Sequence, residues 1–224
     1  MIAEQLAHKR IAVTGSTGFL GTALVERLLR QVPDCDLVLL VRPGRRSTPS
    51  QRARREIFRN DAFNRLLADR GKDAFWDEIE RRVTVIGGDV GTDGLGLDDE
   101  GREVMASCDV VIHSAATVSF DAPLDGAVEV NLLGPTRIVE TLHDLGVTPH
   151  LVAVSTCYVA GNRRGSAPEQ LLSDSPFHID VDWKAEVAAA RRTRADFDAD
   201  SRSAERLGQF RREARHELGA AGTP

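Results

Sequence analysis

Short apolar runs and longer amphipathic stretches alternate along the chain up to about residue 160. The apolar runs are rich in β-branched residues and contain no Asp, Glu, Lys or Arg, which is typical of strands buried in a parallel sheet. They predict five strands, at residues 11–14, 37–41, 83–86, 110–113 and 151–154. The pattern therefore predicts an α/β fold: a doubly wound parallel sheet of the Rossmann type, incomplete at its C-terminal side.

Helical spacing of apolar residues between these runs predicts the helices that cover the sheet. The first helix is the clearest, because five apolar residues share one face before Pro33 ends it: Leu20, Ala23, Leu24, Leu28 and Val32. Further helices are predicted at residues 52–58, 62–68 and 124–145.

The character of the chain changes beyond residue 165. Residues 166–180 have the composition of a loop, and residues 181–224 are rich in Ala, Arg, Asp and Glu. Four apolar residues of this last segment share a helix face: Leu207, Phe210, Ala214 and Leu218. We expect a sheet domain over residues 1–165, a loop, and a charged helical segment that begins an insertion or a substrate-binding part.

Composition excludes some classes of function. The 224 residues carry a net charge of -5, which argues against a general nucleic-acid binder. The three cysteines have no spacing suited to a zinc site. The first residues lack the pattern of a signal peptide, and no apolar run is long enough to cross a membrane. We therefore expect a cytoplasmic protein without a bound metal.

A glycine-rich turn, Thr14-Gly-Ser-Thr-Gly-Phe-Leu-Gly21, joins the first strand to the first helix. In this context Gly15 allows a tight turn, Gly18 lets the backbone approach a pyrophosphate, and Gly21 lets the helix pack closely on the sheet. The helix N-terminus offers free N–H groups to phosphates. The alternative is a tight turn without a ligand; the strand–turn–helix context favours a dinucleotide site.

Arg42 stands at the end of the second strand, where NAD-binding proteins place an acid that accepts hydrogen bonds from the ribose. A guanidinium has no acceptor to offer and pairs well with a 2′-phosphate. Arg42 therefore favours NADPH as the cofactor. The alternative is that Arg42, like Arg45, only solubilises a loop, and we expect the run from Arg52 to Arg55 to be a solvated helix face.

Two further segments follow strand ends and are expected to meet the cofactor. Asp89, after the third strand, is placed to contact the adenine. Ser114, Ala115 and Ala116, after the fourth strand, lack bulk and would let the middle of the cofactor approach. We expect His113 to be a hydrogen-bonded structural residue, and expect Asn131 to tie its helix to a neighbouring strand.

Taken together, TGxxGxxG, DVVIHSAA, NLLGP and VSTCYVAG resemble the extended short-chain dehydrogenase/reductase pattern. The longer strings VTGSTGFLGTALVERLL, LVLLVRPG, EIFRNDAFNRLL and AATVSFD resemble the N-terminal part of fatty acyl-CoA reductases, with their male-sterility-type NAD-binding domain. The resemblance covers roughly residues 8–165. Reductase domains of carboxylic acid reductases and of thioester-releasing synthetases are close relatives of that family.

The resemblance implies roles for individual residues. It places seven residues on the pyrophosphate: Gly15, Ser16, Thr17, Gly18, Phe19, Leu20 and Gly21. It assigns Arg42 to the 2′-phosphate of NADPH, and sets Asp89 and Val90 beside the adenine. Thr156 matches the family's active-site Ser/Thr, whose hydroxyl would bond the substrate carbonyl and stabilise the oxyanion. The alternative for Thr156 is a hydroxyl that satisfies backbone at a strand end.

The family's general acid is a Tyr with a Lys four residues later, which lowers the pKa of the phenol. Here the single tyrosine, Tyr158, is followed four residues later by Asn162. The three lysines, Lys9, Lys72 and Lys184, are not in register with it. We therefore expect a chain that is either truncated or has lost this chemistry, and that is inactive alone.

The resemblance implies a reductase that uses NADPH and takes a fatty acyl-CoA or an acyl-carrier-protein thioester to the aldehyde or alcohol. One alternative is a non-catalytic NADP-binding sensor or interaction module on the same fold. Another is a different extended short-chain dehydrogenase, such as a thioester reductase domain or a sugar-nucleotide epimerase. Arg42 counts against the epimerase, because those enzymes tend to use NAD.

Overall fold

Five parallel strands form one sheet in the order β3-β2-β1-β4-β5 in the computed structural model, which describes residues 2–119, 121–156, 164–176 and 178–219. The strands are β1 (Arg10–Thr14), β2 (Asp36–Val41), β3 (Val83–Gly87), β4 (Val110–His113) and β5 (His150–Ala153). Each end lies within one residue of its prediction. The doubly wound Rossmann-type fold is confirmed.

Ten helices flank or follow the strands in the described part of the chain. They are α1 (Ile2–Leu6), α2 (Phe19–Gln31), α3 (Pro49–Glu56), α4 (Asn64–Arg70), α5 (Lys72–Arg82), α6 (Asp99–Ala106), α7 (Leu124–Ala127), α8 (Leu133–Asp144), α9 (Trp183–Ser201) and α10 (Ala204–Leu218).

Helix α3 begins earlier than predicted, because Thr48 caps it. The Thr48 hydroxyl accepts a hydrogen bond from the Gln51 backbone, the Gln51 side chain accepts one from the Thr48 backbone, and Pro49 occupies the first turn. Helix α5 was not predicted. Its sequence is largely polar, and it packs into the core through Phe75 and Ile79, one helical turn apart.

The core lies on both faces of the sheet, because successive strand residues point to opposite sides. Ile11, Val13 and Leu39 face the side covered by α2 to α5, where Phe63 and Phe75 meet edge to face. On the other side, alternate residues such as Ala12, Val38 and Val111 pack with apolar residues of α6 and α8. Strand β5 is the least covered, and Val152 is 41% exposed.

The predicted helix over residues 124–145 is interrupted. Residues 128–132 form a wide π turn between α7 and α8. Pro135, in the first turn of α8, has no N–H to give to the carbonyl of Asn131. The regular hydrogen-bond pattern of α8 therefore cannot continue back through residue 131. Asn131 lies in the turn, where its side chain accepts a bond from the Thr117 N–H (2.8 Å) and donates one to the Thr117 carbonyl (2.9 Å). It holds the loop after β4 rather than a strand.

The chain divides into two compact units, residues 1–122 with 129–158, and residues 123–128 with 159–224. The second unit contains α7, α9 and α10. Asp182 caps α9, and the rings of Phe197 and Phe210 lie 5.8 Å apart. Leu207 and Ala214, predicted on one face with Phe210, are half-buried as that residue is. In the part of the chain that is described, no helix is long and apolar enough to span a membrane.

Arg82, the last residue of α5, is fully buried and fastens α5 to the end of α2. Its guanidinium donates to the carbonyls of Leu29 (2.9 Å), Val32 (2.5 Å) and Cys35 (3.0 Å), and pairs with Glu78 at 2.7 Å. A cation at the C-terminal end of a helix satisfies carbonyls that lack a partner within the helix. One side chain therefore fixes the end of α2, the turn before β2 and the start of β3.

We expect Arg82→Met to lower the free energy of unfolding by about 3–5 kcal/mol, because it leaves the Glu78 carboxylate and three carbonyls buried without this partner. Urea denaturation of the full chain measures this. Arg81→Met, at the exposed neighbouring position, is the matched control and should change stability by less than about 0.5 kcal/mol. Equal stability of the two variants would contradict this role for Arg82.

Candidate cofactor site

The glycine turn between β1 and α2 presses directly on the end of β4. Gly15 adopts a φ of +72°, and a Cβ there would lie 2.6 Å from the Ala115 nitrogen and the Ser114 carbonyl carbon. A Cβ at Gly21 would overlap the Gly15 carbonyl. Only glycine fits both positions, which agrees with the tight turn and close helix packing predicted for them.

Helix α2 begins with its first amides open. Its N-cap is Gly18, which has no side chain to accept their hydrogen bonds. Ser16 is 1% exposed, and its hydroxyl has no hydrogen-bond partner among the described residues. The Thr22 hydroxyl, at the start of α2, donates to the Ser16 carbonyl at 2.9 Å. This bond stabilises the glycine turn. Unsatisfied donors and a helix N-terminus together make a site suited to a phosphate.

A buried hydrogen-bond network joins the ends of β1 and β4. The Thr14 hydroxyl lies 2.8 Å from Nδ1 of His113 and accepts a bond from the Ala115 N–H at 3.3 Å. The Ser114 hydroxyl donates to the Thr14 carbonyl at 2.8 Å. Burial lowers the pKa of His113, which favours its neutral form. His113 therefore holds the two strand ends in place.

The turn, the ends of β2 and β4, and the segment after β3 surround one cleft. Nine of the predicted site residues line it: Gly15, Thr17, Gly18, Arg42, Asp89, Val90, Ser114, Ala115 and Ala116. Thr14, Leu40, Val41, Gly88, Thr117 and Val130 complete most of the remaining wall. The carboxyl ends of parallel strands are where ligands bind in such sheets.

Arg52 also lines the cleft, although its sequence context favoured a solvated helix face. The expectation fails for Arg52 because the first turn of α3 points it back toward β2: it donates to the Arg42 carbonyl at 2.8 Å. Glu56 holds the other side of the guanidinium at 3.1 and 2.6 Å. Hydrogen bonds from Arg52 lower the pKa of Glu56 to about 2, so this pair stays charged. The sequence signal for this ion pair was Glu56, an acid four residues after Arg52.

Arg42 is exposed beside the cleft, with its guanidinium 3.8 Å from the Asp89 carboxylate. Asp89 accepts a hydrogen bond from the Gly91 N–H at 2.9 Å, which shapes the turn after β3. Arg42 and Arg52 thus place two guanidinium groups at the end of β2. Each guanidinium has N–H groups in a planar fork suited to phosphate.

The remaining predicted residues lie outside the cleft lining. The Phe19 side chain is 98% exposed, so only its backbone is placed to meet a phosphate, and Leu20 is also exposed. Ser16 and Gly21 are buried and do not line the cleft. Thr156 follows β5 by three residues and is exposed. Tyr158 lies outside the described residues.

Other reactive groups offer no second centre in the described ranges. Cys35 and Cys108 are buried, and burial raises the pKa of both thiols, that of Cys108 to about 11. No cluster of His, Cys, Asp and Glu suited to a metal ion is found in the part of the chain that the structure describes.

Comparisons with known proteins agree with the resemblance seen in the sequence. Residues 13–209 match an NAD-binding family described as male sterility protein. Fatty acyl-CoA reductase 8 of Arabidopsis thaliana is 31% identical over 195 residues, which is 83% of this chain and 39% of that protein. The alcohol-forming fatty acyl-CoA reductase of Simmondsia chinensis is 32% identical over 181 residues, covering 80% of this chain and 36% of that protein. The chain thus spans about two fifths of the length of these relatives.

A solved structure is similar in fold as well. The terminal R domain from the myxalamid PKS-NRPS biosynthetic pathway superposes with a TM-score of 0.54 and 26% identity. The superposition covers 72% of this chain and 38% of that domain.

We expect Gly15→Ala to destabilise the chain more than Gly146→Ala. Gly146 has nearly the same φ, +70°, and a Cβ there meets no described atom within 4 Å. The Gly146 variant should cost about 1–2 kcal/mol for the left-handed backbone alone. The Gly15 variant should cost about 1–3 kcal/mol more, because it forces β1 from β4. Urea denaturation measures the free energy of unfolding of both variants. Equal decreases would show that the contact between Gly15 and the end of β4 does not constrain the fold.

Proposed function

Since the chain belongs to the male sterility protein family of NAD-binding domains, we propose that it is the NADPH-binding part of a reductase acting on fatty acyl thioesters. Acyl-CoA or acyl-carrier-protein thioesters are the proposed substrates, and the aldehyde or alcohol is the product. In this proposal residues 1–165 form the NADP-binding domain, and residues 181–224 begin an insertion or substrate-binding part. One observation carries it: a single cleft joins the glycine turn to two arginines at the end of β2.

The turn fits a pyrophosphate. A Cβ at Gly18 would lie 3.2 Å from the Gly15 carbonyl oxygen, so a larger residue there would crowd the turn. The buried Ser16 hydroxyl adds a donor that has no described partner. Ser16, Thr17, Phe19 and Leu20 would bind the pyrophosphate chiefly through backbone N–H groups and the positive end of α2. Gly21 would act indirectly, by keeping α2 close to the sheet.

The two arginines at the end of β2 favour NADPH over NADH. Arg42 is exposed, lies 3.8 Å from the Asp89 carboxylate and would turn toward a 2′-phosphate, whereas Arg52 is held in place by Glu56 and the Arg42 carbonyl. Neither can accept a hydrogen bond from an unmodified ribose. Asp89 and Val90 would lie beside the adenine, and Ser114, Ala115 and Ala116 would leave room for the middle of the cofactor.

Bound NADPH would supply the hydride. Thr156 would donate a hydrogen bond to the thioester carbonyl and stabilise negative charge on its oxygen. The names of the relatives, which are fatty acyl-CoA reductases, support this class of substrate. A general acid would protonate that oxygen, and the resulting hemithioacetal would release the thiol to give the aldehyde. A Tyr with a Lys four residues later is the expected pair for the acid.

Residues 1–224 contain no such pair, because Asn162 stands four residues after Tyr158. We therefore propose that these residues alone bind NADPH and do not reduce a thioester. The same observation favours a second candidate, a non-catalytic NADP-binding sensor or interaction module.

We expect the chain to bind NADPH at least about a hundredfold more tightly than NADH, because two charged hydrogen bonds to the 2′-phosphate contribute about 1.5–3 kcal/mol each. Calorimetric titration of both nucleotides measures the ratio. Arg42→Gln and Arg52→Gln should each lower NADPH affinity about tenfold and leave NADH affinity nearly unchanged.

The matched control for these variants is Arg45→Gln, an exposed arginine close to Arg42 in the same loop. It should leave both affinities unchanged. Equal binding of NADH and NADPH by the unmodified chain would refute the NADPH assignment. A loss at Arg45 as large as at Arg42 would indicate a diffuse charge effect instead of a phosphate site.

We expect no oxidation of NADPH above the protein-free blank when the chain is mixed with palmitoyl-CoA, because the general acid is missing. Absorbance at the wavelength of the reduced nicotinamide follows the reaction. Sustained oxidation with release of free CoA would overturn the proposal that residues 1–224 are inactive alone.

A further inference from the structure

At one end of the cleft, two of the lining side chains come from segments outside the strands, and we call them the two walls. One wall is Val90, in the segment after β3, and the other is Val130, in the π turn before α8. The walls lie close together: a Cβ at Gly91 would come within 3.7 Å of the Val130 side chain, and one at Gly134 within 3.5 Å of Val90. What holds these two irregular segments decides the width of this end of the cleft.

The segment after β3 is strained. Gly94, Leu95 and Gly96 are consecutive residues with positive φ, and Leu95 has a φ of 57° although it carries a side chain. Such a conformation is costly outside glycine and persists only where the surroundings enforce it. Leu95 is fully buried, and its carbonyl accepts a hydrogen bond from the Asp89 N–H at 2.8 Å. These contacts fix the start and middle of the segment.

A single guanidinium joins this segment to the opposite wall. Arg137, on α8, is 7% exposed and donates from Nε to the Asp93 carboxylate at 2.7 Å. Its other two nitrogens donate to the Glu129 carbonyl at 2.8 Å and to the Glu129 carboxylate at 2.6 Å. Asp93 lies three residues from Val90, and Glu129 is the neighbour of Val130. The planar fork of arginine sets the directions of all three bonds at once.

We propose that Arg137 is a positioning residue that sets the distance between the Val90 and Val130 walls, and thereby the affinity for the adenine ring of a bound nucleotide. Arg137 is not among the residues that line the cleft, so it acts through Asp93 and Glu129. The inference rests on the proposed function, in which this cleft takes a dinucleotide with its adenine at this end.

The test separates the adenine contribution from the phosphate contribution. Binding of 2′,5′-ADP is compared by calorimetry with binding of ribose 2,5-bisphosphate, which lacks the base. The ratio of the two affinities reports on the contacts with the base, because a change at the phosphate contacts affects both ligands equally. We expect Arg137→Met to reduce this ratio about tenfold, a size seen for residues that act on a site without touching the ligand.

Asp93→Asn provides a second variant that leaves the buried guanidinium in place, since the Asp93 side chain is 94% exposed. It should reduce the ratio by a smaller factor, and the double variant should be no worse than Arg137→Met alone, because the two residues act through one contact. Asp99→Asn, another exposed acid close by, is the matched control and should leave the ratio unchanged.

An unchanged ratio in folded Arg137→Met and Asp93→Asn proteins would overturn the role of Arg137 while leaving the proposed function intact. Failure of the unmodified chain to bind 2′,5′-ADP would instead refute the proposed function, and the inference with it.

Discussion

The contact between Gly15 and the backbone at Ser114 and Ala115 is the constraint on which the cleft depends. It brings the end of β1 so close to the end of β4 that no side chain fits between them. The direction of α2 follows from this contact, because the chain leaves β1 through the positive φ of Gly15 and changes direction within the turn. The open amides of α2 then face the same edge of the sheet as the ends of β2 and β4. The glycine turn and the two arginines, Arg42 and Arg52, therefore border one cleft.

Much of the fold could be predicted from the sequence, because parallel strands buried on both faces leave a simple signal. Each of the five predicted runs is short, apolar and free of Asp, Glu, Lys and Arg, and the runs match the strands within one residue. The glycine turn was equally readable, since three glycines at this spacing between a strand and an amphipathic helix are a specific signature. Helix α5 was missed because its buried residues are two apolar ones, Phe75 and Ile79, and two charged ones, Glu78 and Arg82, which give no clear apolar period.

The candidate site was predictable in its backbone parts and less so in its charged ones. The chain is rich in arginines, and the sequence alone does not distinguish those that are held in place from those that are solvated. Arg52, Arg82 and Arg137 are buried or half-buried, and each bonds both a carboxylate and at least one backbone carbonyl. Two of the carboxylates lie four residues away on the same helix and could have been noticed. The carbonyls lie eight and ten residues away for Arg137 and Arg52 and about fifty for Arg82, outside the regular spacings of a helix, so their positions require the fold.

Arg82 has a consequence for how this fold can vary among relatives. The forty-odd residues between β2 and β3 leave the sheet and return to it, and Arg82 fixes the point of return against the end of α2 and the turn before β2. The register of β3 is thereby set by the residue just before the strand and not by the length of the segment between β2 and β3. Residues added or lost around Gly71, where the chain between α4 and α5 is exposed, would lengthen or shorten a closed loop. Homologues can therefore differ in this stretch and still place Asp89 at the same edge of the cleft.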